Sequence, residues 1–286
     1  MKKDYFTSTW LSLRESYDTS SRNKNLTKYI KKSDSILDIG CGTGAFCRWC
    51  IDNNTFFDTM MLLDHDQRLL NKFYKIMSKF SKDKKLIIEK ISTKEFKIKD
   101  PIHKFNYKFK TLHKDLSLVF DLINSFDVLS MSALIDLLSA NYLTKLFKNI
   151  NRDKVIVMSL CFNGQIHWNI KNSYDKYIVN EFNKEQQSIK EDSLSLGYES
   201  IDKVKQLAKK KKFKFFLYDS SWNLSSNSNA DKHFHQKYLE TIYKPLKKNH
   251  QIDKELLDQW FSSKIKLINN GSLTTKVGHN DIIIQT

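Results

Sequence analysis

Residues 34–44 read Asp-Ser-Ile-Leu-Asp-Ile-Gly-Cys-Gly-Thr-Gly, an apolar strand that passes through one acid, Asp38, into a turn with glycines at 40, 42 and 44. Glycine lets a backbone turn that sharply and come that close to a ligand, and such a turn between a buried strand and a helix is the first crossover of a doubly wound α/β sheet. The pocket beside it takes a nucleotide-like cofactor. With Ala45 the run also fits G-x-G-x-x-G/A, the fingerprint of NAD(P)-dependent oxidoreductases. Charge separates the two readings. A carboxylate at Asp38 repels an incoming pyrophosphate and attracts a cofactor that carries an ammonium and a sulfonium.

The strand–helix alternation continues downstream. Residues 36–39 form the first strand, 45–53 a helix, and the apolar run Met60, Met61, Leu62, Leu63 a second strand over 59–64. A helix from 67 to about 80 aligns Leu69, Leu70, Phe73, Ile76 and Met77 on one face. The lysine-rich stretch 82–116 holds two short apolar pieces, 86–88 and 107–112, read as a strand with an excursion. Strands at 126–130, 154–161, 214–219 and 281–285, with helices at 135–147 and 200–210, complete one expected domain over 1–286. Residues 1–33 form an N-terminal helical segment. Two stretches, 162–195 and 222–278, interrupt the alternation just past strand ends. Ligands bind beyond those ends, so the insertions are expected to build a substrate pocket or lid, with decorative surface helices as the alternative.

Of 48 basic residues only Arg14, Arg22, Arg48, Arg68 and Arg152 are arginine, and the lysines are scattered from Lys24 to Lys276. Phosphate sites recruit arginine forks, so the net charge of +16 leaves nucleic acid a possible partner that is not favoured. No stretch approaches the roughly 18 to 20 apolar residues of a membrane span, and no secretory leader opens the chain, so a cytoplasmic protein without membrane attachment is expected. The cysteines are Cys41, Cys47, Cys50 and Cys161. The Cys47–Cys50 pair lacks the second pair that zinc needs and lies inside a helix, so reduced core thiols and no metal site are expected.

The run from Leu37 to Gly44 closely resembles motif I of class I S-adenosylmethionine-dependent methyltransferases. The resemblance covers about 34–161, 196–220 and 279–286. It implies a Rossmann-like methyltransferase sheet, mostly parallel with an antiparallel last strand, and S-adenosylmethionine as cofactor. By the same resemblance Asp38 holds the methionine moiety, while Gly40, Cys41, Gly42 and Gly44 bring backbone against the cofactor. Asp64 ends the second strand, beside His65, and suits the ribose hydroxyls. Asp115, followed by Leu116, stands near the adenine amino group unless it merely caps a helix. Ser130 contributes to the cofactor site and Met131 to the substrate site. Trp10, Arg14, Asp18 and Arg22 recur every four residues, so on a helix Arg14 or Arg22 can meet the cofactor's carboxylate as part of a lid; the alternatives are an i,i+4 salt-bridge ladder, or a break between two helices at Asp18-Thr-Ser-Ser. The tetrad Asn/Asp-Pro-Pro-Tyr/Phe is absent, which disfavours the amide-polarising methyltransferases of bases and glutamine.

Trp168, Asn183, Gln186 and Trp222 are the expected substrate-side residues, with Asn183, Gln186 and Lys190 on one side of a helix over 177–190. His167 and His279 are the imidazoles available as bases, though the sequence assigns neither. Inserted helices suit a small-molecule acceptor. An RNA or protein methyltransferase, an NAD(P)-dependent oxidoreductase and a non-catalytic scaffold are the competing readings.

Overall fold

Continuous apolar strands need cover on both faces, and the helices between them supply it. The computed structural model describes residues 7–187, 189–190 and 193–286; residues 1–6 of the expected N-terminal segment lie outside the described residues. Helix α1 (Ser8–Ser21) and a 3-10 turn lead to β1 (Ser35–Ile39), α2 (Ala45–Asp52), β2 (Thr59–Asp64) and α3 (Gln67–Asp83). Next come β3 (Ile87–Lys90), β4 (Glu95–Asp100), β5 (Phe105–His113), β6 (Val128–Ser132), α4 (Ala140–Asn149) and β7 (Val155–Trp168). Helix α5 (Asp175–Gln186) precedes the short pair β8 (Ile189–Lys190) and β9 (Ser193–Leu194), then α6 (Ser200–Lys211) and β10 (Lys214–Asp219). The chain ends with β11 (Trp222–Leu224), α7 (Asn229–Lys248), α8 (Lys254–Asn269) and β12 (Thr275–Gln285).

Among the described residues the main sheet has ten strands, in the order β10-β12-β7-β6-β1-β2-β5-β4-β3, with β11 paired to β12. The strands β5, β2, β1, β6 and β7 are parallel, and β12 is antiparallel to both neighbours. The chain therefore winds outward in both directions from β1, and the gap between β1 and β6 is the switch point where α/β sheets bind ligands. One apolar layer joins α2 and α3 to the sheet through Phe46, Trp49, Leu70, Phe73 and Met77. The other joins α4 and α6 through Leu143, Leu146, Val204 and Ala208.

Several elements differ from the sequence expectation. The excursion in 82–116 is an antiparallel meander, β3-β4-β5, on the edge of the sheet. The helix expected at 135–147 is a 3-10 turn at Ile135–Leu137 followed by α4, which Ser139 caps by accepting the Tyr142 N–H. The helix expected over 177–190 ends at Gln186, and Lys190 lies in β8. Strand β7 runs on from Cys161 to Trp168, and β12 begins at Thr275, so the two form one long ribbon that leaves the sheet. The first insertion thus begins as strand. At its base Leu160 has φ +57°, a left-handed conformation for a non-glycine residue, and its N–H is held by Asp281 Oδ1 at 2.7 Å.

Helices α5, α7 and α8 pack on this ribbon as a cap with its own core, built from Phe162, Trp168, Phe182, Phe234, Leu239 and Trp260. Lys264 is fully buried there, donating to Asp175 and to the Ile170 carbonyl, each at 3.0 Å. No helix among the described residues is long and apolar enough to cross a membrane.

Candidate functional site

The glycine turn ties the ends of β1 and β2 together. Gly40 and Cys41 both donate to the Leu63 carbonyl (2.8 and 3.0 Å), and Gly42 donates to Asp64 Oδ2 (2.8 Å). All three glycines are left-handed, with φ of +70°, +57° and +83°. At Gly44 space is decisive as well, because a Cβ there would stand 2.6 Å from the Phe73 ring. The other Asp64 oxygen takes the Asp66 N–H at 2.8 Å. A carboxylate has about four lone-pair positions, so each oxygen keeps one for a hydroxyl donor. His65 is half-exposed with its ring nitrogen 3.4 Å from that carboxylate. Asp115 caps the 3-10 turn Leu116–Asp121 by accepting the Ser117 N–H (2.8 Å), and the Leu116 carbonyl accepts from Tyr142.

Beyond the turn, two buried charges converge on the switch point. Asp38 on β1 faces Ser130 on β6, whose hydroxyl donates to Asp38 Oδ1, while Asp38 Oδ2 is buried without a hydrogen-bond partner. Arg22, just past α1, is 3% exposed. Its Nε donates to Ser159 Oγ (3.1 Å), its Nη2 to Ser132 Oγ (2.7 Å), and its Nη1 is buried without an acceptor. Ser132 stands two residues past Ser130 on β6, about 7 Å along the strand. Arg22 also lies over Phe46 and Trp49, 5.5 and 5.4 Å from their ring centres. Burial pushes the Asp38 carboxyl up to about 7, against the pull of the Ser130 hydrogen bond and the Arg22 charge and with a further push from Asp64.

Helix α1 roofs this region. Leu11 reaches the glycine turn, where a Cβ on Gly42 would lie 3.1 Å from it, and Leu134 stands 3.0 Å from the equivalent position on Gly40. Glu15 pairs with Arg48 of α2, and Asp18 accepts from Trp222 Nε1 at 3.1 Å. Of the two arginines expected at the cofactor, Arg14 is held by Asp18 (2.9 and 3.1 Å) and lies 4.9 Å over Trp222. Arg22 is the one whose charge acts on Asp38. The stretch 18–21 continues the helix, and Arg22 follows as its cap.

The expected substrate residues separate. Trp222 and His279 meet, with ring centres 4.8 Å apart, and Phe162 lies 5.9 Å from His279 on another side. Burial lowers His279 to about 3, helped by the charge of Arg14 and opposed by the bond to the Val277 carbonyl. Its imidazole is therefore neutral at physiological pH, a hydrogen-bonding group and a poor base. His167 is exposed on β7, between the buried Ile166 and Trp168. Trp168 belongs to the cap core, in edge contact with Trp260 at 5.7 Å and beneath Lys264 at 4.5 Å. Asn183 donates to the Gly164 carbonyl at 3.0 Å, the Gln186 carbonyl accepts from Ser195, and Met131 is buried in the sheet.

Ser132, Ser159, Glu15 and Arg48 were not expected at the site. Serines at alternate positions of an otherwise apolar strand, Ser130 and Ser132, are the signal that could have found the first. The four cysteines are buried thiols, each pushed upward chiefly by burial where a shift is seen. Among the described residues no three His, Cys, Asp or Glu side chains are grouped to hold a metal.

No protein-family model matches the sequence, and no curated protein does. Solved structures do. A cyclopropane-fatty-acyl-phospholipid synthase-like protein from Lactobacillus casei superposes with a TM-score of 0.50 at 14% identity, covering 98% of this chain and 94% of that one. A cyclopropane synthase from Mycobacterium tuberculosis gives 0.44 at 12% identity, covering 100% and 87%. A phosphoethanolamine N-methyltransferase from Haemonchus contortus, solved with S-adenosyl-L-methionine, gives 0.42 at 14% identity, covering 91% of this chain and 51% of that one. With β1 central, the order reversing beside it and β12 antiparallel, this chain has the class I methyltransferase fold.

Proposed function

We propose that the protein is an S-adenosylmethionine-dependent methyltransferase acting on a small-molecule acceptor. The observation that carries this reading is a pair of unpartnered buried atoms, Asp38 Oδ2 at the strand that enters the glycine turn and Nη1 of Arg22, whose charge acts on Asp38. A buried polar atom without a partner costs on the order of 1–3 kcal/mol, more when charged. One acceptor on β1 and one donor just past α1 match the ammonium and carboxylate of an amino-acid moiety. The dinucleotide alternative has no such use for Asp38.

On this reading Asp38 and Arg22 grip the methionine end, Asp64 takes the ribose hydroxyls and Asp115 stands at the adenine edge. His65 and Leu116 flank them. Bound S-adenosylmethionine would supply an electrophilic methyl on a sulfonium whose sulfide leaves readily. The chain's own share is placement: α1 shuts water out, and the strand ends hold an acceptor in line at about 3 to 3.5 Å. Trp222, Phe162 and neutral His279 form the wall where β11, β7 and β12 meet, next to Arg14, and are the residues proposed to face the acceptor. The structural neighbour from Lactobacillus casei, a cyclopropane-fatty-acyl-phospholipid synthase-like protein, is compatible with a small acceptor. Thermal shift separates the cofactors: S-adenosylhomocysteine stabilises the protein by mass action, and NAD or NADP does not. The reverse result refutes the proposal.

A further inference from the structure

Arg48 is 4% exposed, and its three nitrogens are all engaged. Nε and Nη2 hold the two Glu15 oxygens at 2.6 and 2.8 Å, and Nη1 donates to the Thr43 carbonyl at 2.6 Å. Thr43 lies between Gly42 and Gly44, so a side chain of α2 fixes the tip of the glycine turn while its charge is neutralised from α1. A guanidinium loses much of its hydration on burial and needs that carboxylate. Docking of α1 and the shape of the turn are therefore one event. Along α1 the inward residues are Leu11 on the turn, Glu15 on Arg48, Asp18 on Trp222, with Arg22, whose charge acts on Asp38, at the end. Glu15 occupies the middle of that row.

We propose that Glu15 and Arg48 are positioning residues for the cofactor: the pair latches α1 over the Gly40–Gly44 turn, and ligand exchange requires the latch to open. Neither touches the ligand in this scheme. Both act through Thr43 and Leu11. The inference rests on the cofactor reading of the turn.

The test compares wild type, Glu15→Gln, Arg48→Met and Asp38→Asn, using calorimetry with S-adenosylhomocysteine and amide hydrogen exchange of α1. Glu15 is partly exposed, so Glu15→Gln is expected to fold even where Arg48→Met does not. The expected result is at least a tenfold rise in Kd for Glu15→Gln, carried by faster release, with faster exchange along α1. Asp38→Asn should lose binding while α1 stays protected. Equal affinity and equal protection in wild type and Glu15→Gln overturn the latch. A wild-type protein that binds no S-adenosylhomocysteine overturns the cofactor reading, and the latch with it.

Discussion

The switch point and the helical cap both bury charge, and they treat it in opposite ways. In the cap, Lys264 is matched by Asp175 and a carbonyl, Trp260 donates to the same Asp175 at 2.8 Å, and His235 is held between Ser226 (3.0 Å) and Thr275 (2.6 Å). Burial lowers His235 to about 4, so it stays neutral and needs no counter-charge. At the switch point, Asp38 and Arg22 each retain an unpartnered atom. Closed networks of the first kind hold a fold together; open ones of the second kind await something from outside. Burial alone does not distinguish structure from function. Completeness of pairing separates these two sets of charges, while uncharged groups such as Trp168 Nε1 and the Tyr238 hydroxyl are left unpartnered inside the cap itself.

The strongest challenge to this contrast is Asp38→Ala. Loss of the carboxylate is expected to weaken S-adenosylhomocysteine binding at least a thousandfold by calorimetry, about 4 kcal/mol. Retained binding would dissolve the distinction between the two regions. Lys264→Ala is next: it strands the Asp175 carboxylate and should cost about 3 kcal/mol in denaturant unfolding. Cofactor affinity of the folded fraction should stay within about twofold, since the cap network is already closed.

Asp38→Asn sharpens the comparison. An acid whose folded pKa is raised from 3.8 to about 7 contributes stability that is complete below pH 3.8 and lost as pH rises through 7. Removing the charge should therefore stabilise the ligand-free protein above pH 7 by on the order of 2–4 kcal/mol, while binding is lost. In the wild type the same group makes affinity fall by up to about tenfold for each pH unit below 7 and level off above it, because the cofactor's ammonium selects the carboxylate. A flat profile across pH 7 contradicts this. The smallest effect is expected on the exposed edge, where Lys110→Ala breaks a 3.0 Å pair with Glu95 and should change stability by less than about 0.5 kcal/mol.

Legibility in the sequence followed the range of the interactions. Strands β2 and β10 appear with the expected bounds because a short apolar run ending in an acid is a local signal. Motif I and its glycines are local too. The continuation of β7 was also readable, since Phe162, Ile166 and Trp168 are buried and Gln165 and His167 exposed, a period of two that an insertion boundary at 162 concealed. Arg22 was one of four residues at helical spacing, and only the serines of β6 and β7 distinguish it from Arg14. The Glu15–Arg48 pair joins residues 33 apart, and no local pattern announces such a partner.

Helix α1 is made early and completed late. Its Tyr17 donates to Asp231 and its Asp18 accepts from Trp222, partners 214 and 204 positions downstream. During synthesis its contacts with the glycine turn and Arg48 become available early, while those with β11 and α7 wait until these elements have left the ribosome. Nascent chains halted before β11 would carry the glycine turn and the Glu15–Arg48 pair but lack the contacts that finish the roof.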